Sequence, residues 1–157
     1  MKASVLVTCA AVFGLLISTP QVAVCQDSNG GSELQVHLKY SGTGTVDEQH
    51  KIYVALWDSP DFVTSEMPPF ATQSASSKDG VVTFKNVKKT PVYVSTAYDP
   101  KGQWDAQSPP PDGSSLGLYS KTPGQATAVD LKPGKTTKIE LAFDDSVKMK
   151  GGKATPQ

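Results

Sequence analysis

The sequence predicts an all-β protein: an antiparallel β-sandwich of six or seven strands that follows a signal peptide. Beyond residue 25, apolar and polar residues alternate with a period of two, which is typical of half-buried strands. Gly, Pro, Asn and Asp lie between these segments and mark turns. No stretch of this region has the 3.6-residue spacing of a helix, and short strands separated by turns favour a sandwich.

The N-terminus has the pattern of an export signal. A positive start at Met1-Lys2 precedes an apolar run from Val5 to Ile17. About 13 apolar residues are too few to span a bilayer, and the flanks are those of a signal peptide. We therefore predict that residues 1–25 are a signal peptide and that the protein is periplasmic, cell-surface or secreted.

Two processing patterns fit the end of this signal. Residues 22–25 (VAVC) resemble a bacterial lipobox, which predicts lipidation of Cys25, although such motifs prefer a smaller residue than Val24 before the cysteine. Alternatively, Ala23 and Cys25 are the small residues of an ordinary cleavage site before Gln26. Residues 26–32 are polar and suit a flexible tether, and contact with a membrane is expected only through a lipid on Cys25.

Composition limits the remaining chain to one domain with its own core. Cys9 lies in the signal and Cys25 is either lipidated or removed, so no disulfide framework is expected. The sequence has 15 basic and 15 acidic residues, and every basic residue is lysine. The lack of arginine argues against nucleic-acid binding, which relies on guanidinium groups. We predict a sandwich over residues 33–145 and a disordered Lys/Gly-rich tail over 146–157.

The first four strands are predicted from alternation and turns. Residues 34–40 alternate strictly, whereas residues 52–57 carry apolar side chains on both faces, which favours a central position. Residues 70–75 form the weakest candidate. Residues 81–84 follow an Asp79-Gly80 turn and are rich in β-branched side chains.

Three further strands are predicted near the C-terminus. Residues 92–98 alternate after Pro91, which fits the first position of a strand. Residues 126–131 form a short strand, and residues 132–135 (KPGK) have the composition of a type II turn. Residues 137–143 show the clearest alternation in the chain and form the last strand.

Two segments carry a family resemblance. Residues 80–87 (GVVTFKNV) and 93–99 (YVSTAYD) resemble the G-x-V-x-F-x-N-V and Y-x-V-x-A-x-x-D pattern of carboxypeptidase regulatory-like, or transthyretin-like, sandwich domains, including a group of secreted bacterial domains. Residues 131–137 (LKPGKTT) resemble their last turn. The resemblance implies a transthyretin-like or immunoglobulin-like sandwich over roughly residues 34–143. It departs at residues 90–92, where those domains usually have Pro-Gly.

Catalytic patterns are weak, and we predict that the protein is not an enzyme. If the first two strands form a hairpin about residues 45–46, His37 and His50 lie about 13 Å apart, too far to share a zinc ion. The chain has no G-x-S-x-G elbow and no phosphate-binding glycine loop. A hydrolase or metalloenzyme with a dispersed site is the weaker alternative.

The long connection from residue 99 to 125 is the candidate functional segment, because loops of this length are usually functional or disordered. Asp99, Asp105 and Asp112 supply oxygen ligands for a calcium clip. However, Lys101 and Gln103 occupy the third and fifth positions, where an EF-hand loop needs acids or amides. Calcium is therefore the alternative hypothesis. Asp144 and Asp145 are expected near this loop if seven strands alternate in direction.

Aromatic residues of the same loop predict a recognition surface. Trp104, Tyr98 and Tyr119 offer large rigid rings that suit a carbohydrate or an envelope protein. Alternatively, Trp104 folds back onto the loop's own residues 116–119. The sequence thus predicts a non-catalytic binding or scaffolding module of the cell envelope, with residues 99–119 as its candidate surface.

Overall fold

Two β-sheets make up the fold. The computed structural model describes residues 31–63 and 68–157. The strands are β1 (Ser32–Tyr40), β2 (Ile52–Trp57), β3 (Ala71–Ala75), β4 (Val81–Val87), β5 (Tyr93–Tyr98), β6 (Ser115–Leu118), β7 (Thr136–Phe143), β8 (Val147–Lys150) and β9 (Lys153–Pro156). A short 3-10 turn spans Pro60–Val63. The predicted signal peptide, Cys25 and most of the tether lie outside the described residues.

The sheets have the strand orders β4-β1-β7 and β3-β2-β5-β6-β8-β9. This arrangement confirms the predicted all-β, sandwich-like class. The prediction of a wholly antiparallel sandwich is wrong, because β1 and β7 pair in parallel from Glu33–Thr136 to Tyr40–Phe143. Both strands start at the end of the sheet where β4 finishes, so they run in the same direction.

Strands β1 and β2 belong to different sheets. The hairpin assumed for them is therefore wrong, and the histidine separation that was derived from it no longer has a basis. Residues 41–51 carry the chain from one sheet to the other. His37 is half-buried on the face of β1 opposite the core, and His50 lies in the connection.

The core lies between the two sheets. Alternate residues of β1, β2 and β7 are buried, and they join inward residues of β4 and β5 in one continuous cluster. It comprises Leu34, Val36, Leu38, Tyr40, Ile52, Val54, Leu56, Val82, Phe84, Val87, Val92, Val94, Tyr98, Val129, Leu131, Ile139, Leu141 and Phe143. Burial of each large apolar side chain stabilises the fold by roughly 1.5–3 kcal/mol.

The structure confirms the weakest predicted strand and adds others. β3 forms at Ala71–Ala75, and Gly134, with a φ of 68°, supports the predicted type II turn. Residues 126–131 do not form a strand: only Val129 pairs, with Val92. Residues 31–63 and 68–157 contain nine strands rather than the predicted six or seven. The strand at 126–131 is absent from them, but β6 interrupts the predicted 99–125 loop and two strands lie in the C-terminal tail.

The tail predicted to be disordered forms the β8–β9 hairpin. Gly151 and Gly152 have φ values of 58° and 74°, as a type I′ turn requires at both central positions. The lysine and glycine content of the tail pointed to disorder, whereas the Gly-Gly pair between two short strands is itself a hairpin signal. No helix in the described parts of the chain is long and apolar enough to cross a membrane.

Candidate functional site

The loop that follows β5 is fixed by a buried carboxylate. Asp99 is 2% exposed. Its Oδ1 accepts the backbone N–H of Lys101 at 2.9 Å, and its Oδ2 accepts those of Gln103 at 2.8 Å and Trp104 at 3.0 Å. One side chain thereby satisfies three turn amides, which are costly to leave unpaired. Asp99 thus caps the backbone of the 101–104 turn.

The same turn packs closely against the 47–50 connection. Gly102 has a φ of 63°, and a Cβ at this position would lie 2.7 Å from the carbonyl oxygen of Gln49. Asp47 Oδ1 accepts the backbone N–H groups of Gln49 and His50 and lies 2.8 Å from His50 Nδ1. Glycine at position 102 therefore permits both the backbone conformation and the close approach of the two loops.

Trp104 packs on the outer face of the six-stranded sheet. Its ring meets that of Tyr53 edge-on, with centroids 4.9 Å apart and planes at 70°. Tyr53 donates its hydroxyl proton to the Trp104 carbonyl at 3.0 Å, and Trp104 Nε1 donates to the Ser108 carbonyl at 2.9 Å. The ring therefore rests on β2, and its packing on residues 116–119 stays a prediction.

A shallow pocket of about 310 Å³ opens within this loop. Its lining consists of Asp99, Lys101, Gln103, Trp104, Asp105, Ser108, Pro109 and Pro111. One aromatic ring is thus combined with an amide, a hydroxyl, a cation and two carboxylates. A second pocket, of about 210 Å³, lies at the other end of the molecule, near Ser32 and Lys88.

The other two predicted surface residues, Tyr98 and Tyr119, do not line the loop pocket. Tyr98 is 2% exposed, and its hydroxyl donates to the Thr45 carbonyl at 2.7 Å, so its ring is a core element rather than a ligand surface. Tyr119 is half-buried against the core, and its N–H donates to the carbonyl of Val94 at 2.9 Å. Trp104 alone of these three aromatic residues lines the loop pocket.

The three predicted calcium ligands do not form a cluster. Asp99 and Asp105 line the pocket, whereas Asp112 is exposed and is not part of its lining. Asp105 Oδ1 accepts the backbone N–H of Gln107 at 2.9 Å. Within residues 31–63 and 68–157, no group of three or more His, Cys, Asp and Glu side chains is arranged to hold a metal ion.

Sequence patterns missed a second polar centre, around Asp145. Its Oδ1 accepts the hydroxyl protons of Tyr40 and Ser115, both at 2.6 Å. Its Oδ2 accepts the N–H and the hydroxyl of Thr43, both at 2.9 Å. This carboxylate joins the end of β1, the following loop, β6 and the β7–β8 link. Its donors are up to 105 residues away, so no local motif reveals the site.

The electrostatics of this centre favour the ionised carboxylate. Burial raises the pKa of Asp145, but the hydrogen bonds from Ser115, Tyr40 and Thr43 outweigh it and hold the pKa well below its usual range. Burial and the hydrogen bond to Asp145 raise the pKa of Tyr40 to about 12. Asp145 therefore stays charged and Tyr40 neutral over the physiological range.

Comparisons with protein-family models, curated proteins and solved structures gave no match.

Proposed function

We propose that the protein is an exported, non-catalytic β-sandwich that binds carbohydrate in the Trp104 pocket. The observation that carries this proposal is the combination of a tryptophan ring with polar side chains in one pocket. Aromatic rings bind the apolar faces of sugars. Nearby amides both donate hydrogen bonds to sugar hydroxyl groups and accept them, whereas carboxylates accept them.

Preorganisation of the loop supports this role. Three backbone N–H groups fix the turn through Asp99, and Tyr53 supports both the ring and the carbonyl of Trp104. A loop held in its binding conformation loses little entropy when a ligand binds. The pocket therefore suits recognition of a small polar ligand by a fixed surface.

Substitution of Trp104 tests the binding site. Oligosaccharides would be screened on an array, and the ligand found would be titrated calorimetrically against the protein and against Trp104→Ala. We expect at least a tenfold rise in Kd, since a central aromatic contact contributes about 2 kcal/mol or more. Trp57→Ala is the matched control, because Trp57 stacks on Phe62 outside the pocket.

Equal losses in Trp104→Ala and Trp57→Ala, with unchanged folding, would contradict a site in the pocket. Failure of every oligosaccharide on the array to bind would reject carbohydrate as the ligand class. Binding of an envelope protein instead, lost in Trp104→Ala, would move the proposal to a protein partner at the same surface.

Export and the transthyretin-like family are parts of the same proposal. They are supported by the apolar run of residues 5–17 and by the sandwich-like arrangement of two sheets. Mass spectrometry of the mature N-terminus distinguishes a lipidated Cys25 from cleavage before Gln26. An intact Met1 in the protein recovered from cells would contradict export.

A further inference from the structure

The β8–β9 hairpin gathers three lysines on one face. Lys150 pairs directly with Lys153, and Lys148 pairs with Thr155. Residues two apart on a strand and residues directly opposite each other share a face. Lys148, Lys150 and Lys153 therefore point to the same side, about 7 Å apart along β8 and about 5 Å across the pair.

Among residues 31–63 and 68–157, none of these three charges forms an ion pair. No Asp or Glu occurs between Ser146 and Gln157. The nearest carboxylates in the chain are engaged elsewhere: Asp145 by its hydroxyl and amide donors and Asp144 by the Ser146 N–H. Like charges placed opposite each other destabilise a hairpin, and a bound polyanion would remove this cost.

The lysine face lies away from the Trp104 pocket. Lys148 pairs with Ser115, which pairs with buried Tyr98 on the core-facing side of the sheet. Trp104 packs on Tyr53, whose side chain is on the outer side. The two surfaces are thus on opposite sides of one sheet, and a ligand of the lysines does not depend on the pocket.

The position of the hairpin in the molecule also indicates which class of ligand its lysine face can contact. β1 starts at Ser32 opposite Val87 and ends at Tyr40, which bonds Asp145 near the base of the hairpin. Nine strand residues span about 30 Å. An anchor at Cys25 would therefore hold a membrane near the opposite end of the molecule. The absence of arginine from the sequence disfavours nucleic acid, where guanidinium groups dominate recognition.

We propose that Lys148, Lys150 and Lys153 form a docking surface for an anionic polysaccharide. A flexible polymer with regularly spaced carboxylates or sulfates matches a row of three charges better than a single small anion does. The attraction is electrostatic and weakens as salt rises. This second site gives the protein a charge-selective contact in addition to the proposed pocket.

Heparin and polygalacturonate serve as probes, and neutral dextran as the uncharged control. Their affinities for the purified protein are compared with those for the triple variant Lys148→Gln, Lys150→Gln, Lys153→Gln. We expect at least a tenfold rise in Kd and a flatter salt dependence. A matched triple variant, Lys85→Gln, Lys88→Gln, Lys132→Gln, removes the same charge elsewhere and should change Kd less than twofold.

Equal weakening in both triple variants, or none in the hairpin variant, would overturn the proposal. Tighter binding to duplex DNA, or to vesicles of phosphatidylcholine and phosphatidylglycerol, than to either polysaccharide would reject the assigned partner. Thermal unfolding at low salt excludes misfolding as the cause: loss of the Lys150–Lys153 repulsion should leave the hairpin variant at least as stable as the parent protein. Trp104→Ala should leave heparin binding unchanged, which separates this site from the pocket.

Discussion

At the scale of single residues, Asp145 has the most connected position in the described structure. Each of its oxygens accepts two hydrogen bonds, from Tyr40, Thr43 and Ser115. Hydroxyl and amide dipoles therefore stabilise its charge, and none of the ion pairs among the described residues includes it. Hydrogen bonds to an ionised acceptor are stronger than neutral ones, and this carboxylate consequently links segments that are distant in sequence.

We expect Asp145→Asn to lower the free energy of unfolding by about 1–3 kcal/mol, because an amide offers one acceptor atom in place of two charged ones. Urea denaturation at pH 7 measures the change. Asp144→Asn is the matched control, since Asp144 is exposed and its hydrogen bonds come from its near neighbour Ser146. Similar losses of unfolding free energy in both variants would show that the hydrogen bonds of Asp145 stabilise the fold no more than those of Asp144.

Lowering the pH should remove the stabilisation that Asp145 contributes. The pKa of Asp145 is depressed in the folded protein, whereas the pKa of an aspartate in the unfolded chain is about 3.9. Its stabilisation is therefore complete above that value and is lost as the pH falls through the folded pKa. Below about pH 4 the parent protein should lose stability more steeply than Asp145→Asn. Parallel curves for the two proteins would contradict this assignment.

At the scale of elements, β6 brings the two sheets together at one point. A Cβ on Gly117 would lie 2.5 Å from Thr96 Cγ2 and 2.7 Å from Phe143 Cβ. Thr96 is itself held by a hydrogen bond from its hydroxyl to the Tyr53 carbonyl. Glycine at position 117 thus allows β6 to approach the end of β7.

Gly117→Ala should cost roughly 1–3 kcal/mol of stability, as overpacked sites do. Chemical denaturation measures it, and the double variant Thr96→Ser, Gly117→Ala supplies the control. Serine retains the hydroxyl but removes Cγ2, so part of the loss should return. If Gly117→Ala unfolds at the same denaturant concentration as the parent, the close approach of β6 to β7 is wrong.

Alternation over five or more residues predicted β1, β5 and β7. β1 and β7 show buried positions at every second residue, and this period is visible without a structure. Four residues of β6, with sequence SLGL, are too few to establish a period. The parallel partnership of β1 and β7 was not predictable either, since alternation identifies a strand but not its neighbour.

The same distinction applies to the candidate site residues: local patterns are visible in the sequence, whereas distant partners are not. The sequence predicts Asp99 as a calcium ligand, whereas its role as a backbone cap depends on amides that composition does not reveal. Tyr98 was assigned to a surface because its loop position outweighed its strand alternation, and the alternation was the better guide. The face that Lys148 and Lys150 share with Lys153 depends on the pairing of β8 with β9, which the sequence analysis did not predict.

At the scale of the whole molecule, calcium linkage tests the alternative use of the 99–112 loop. Calcium binding would add about 2.7 kcal/mol of stability at one hundred times Kd. Because both Asp99 oxygens accept N–H bonds, we expect thermal unfolding to be the same with calcium and with chelator. Asp99→Ala should destabilise equally in both, by about 1–3 kcal/mol.

Asp105→Ala is the comparison for that experiment, because Asp105 is exposed and accepts one local N–H. Asp105→Ala should lower the free energy of unfolding by no more than about 0.5 kcal/mol. A calcium-dependent rise in the parent protein that disappears in both aspartate variants would instead establish the loop as a cation clip.

The ladder between β1 and β7 also sets an order of events for folding. Glu33 and Thr136 are 103 positions apart, and contacts between distant segments form only after the intervening chain has closed. The three-stranded sheet consequently stays incomplete until nearly the whole polypeptide is present. If the chain is exported, as we propose, this sheet cannot be completed before β7 has passed through the translocation channel.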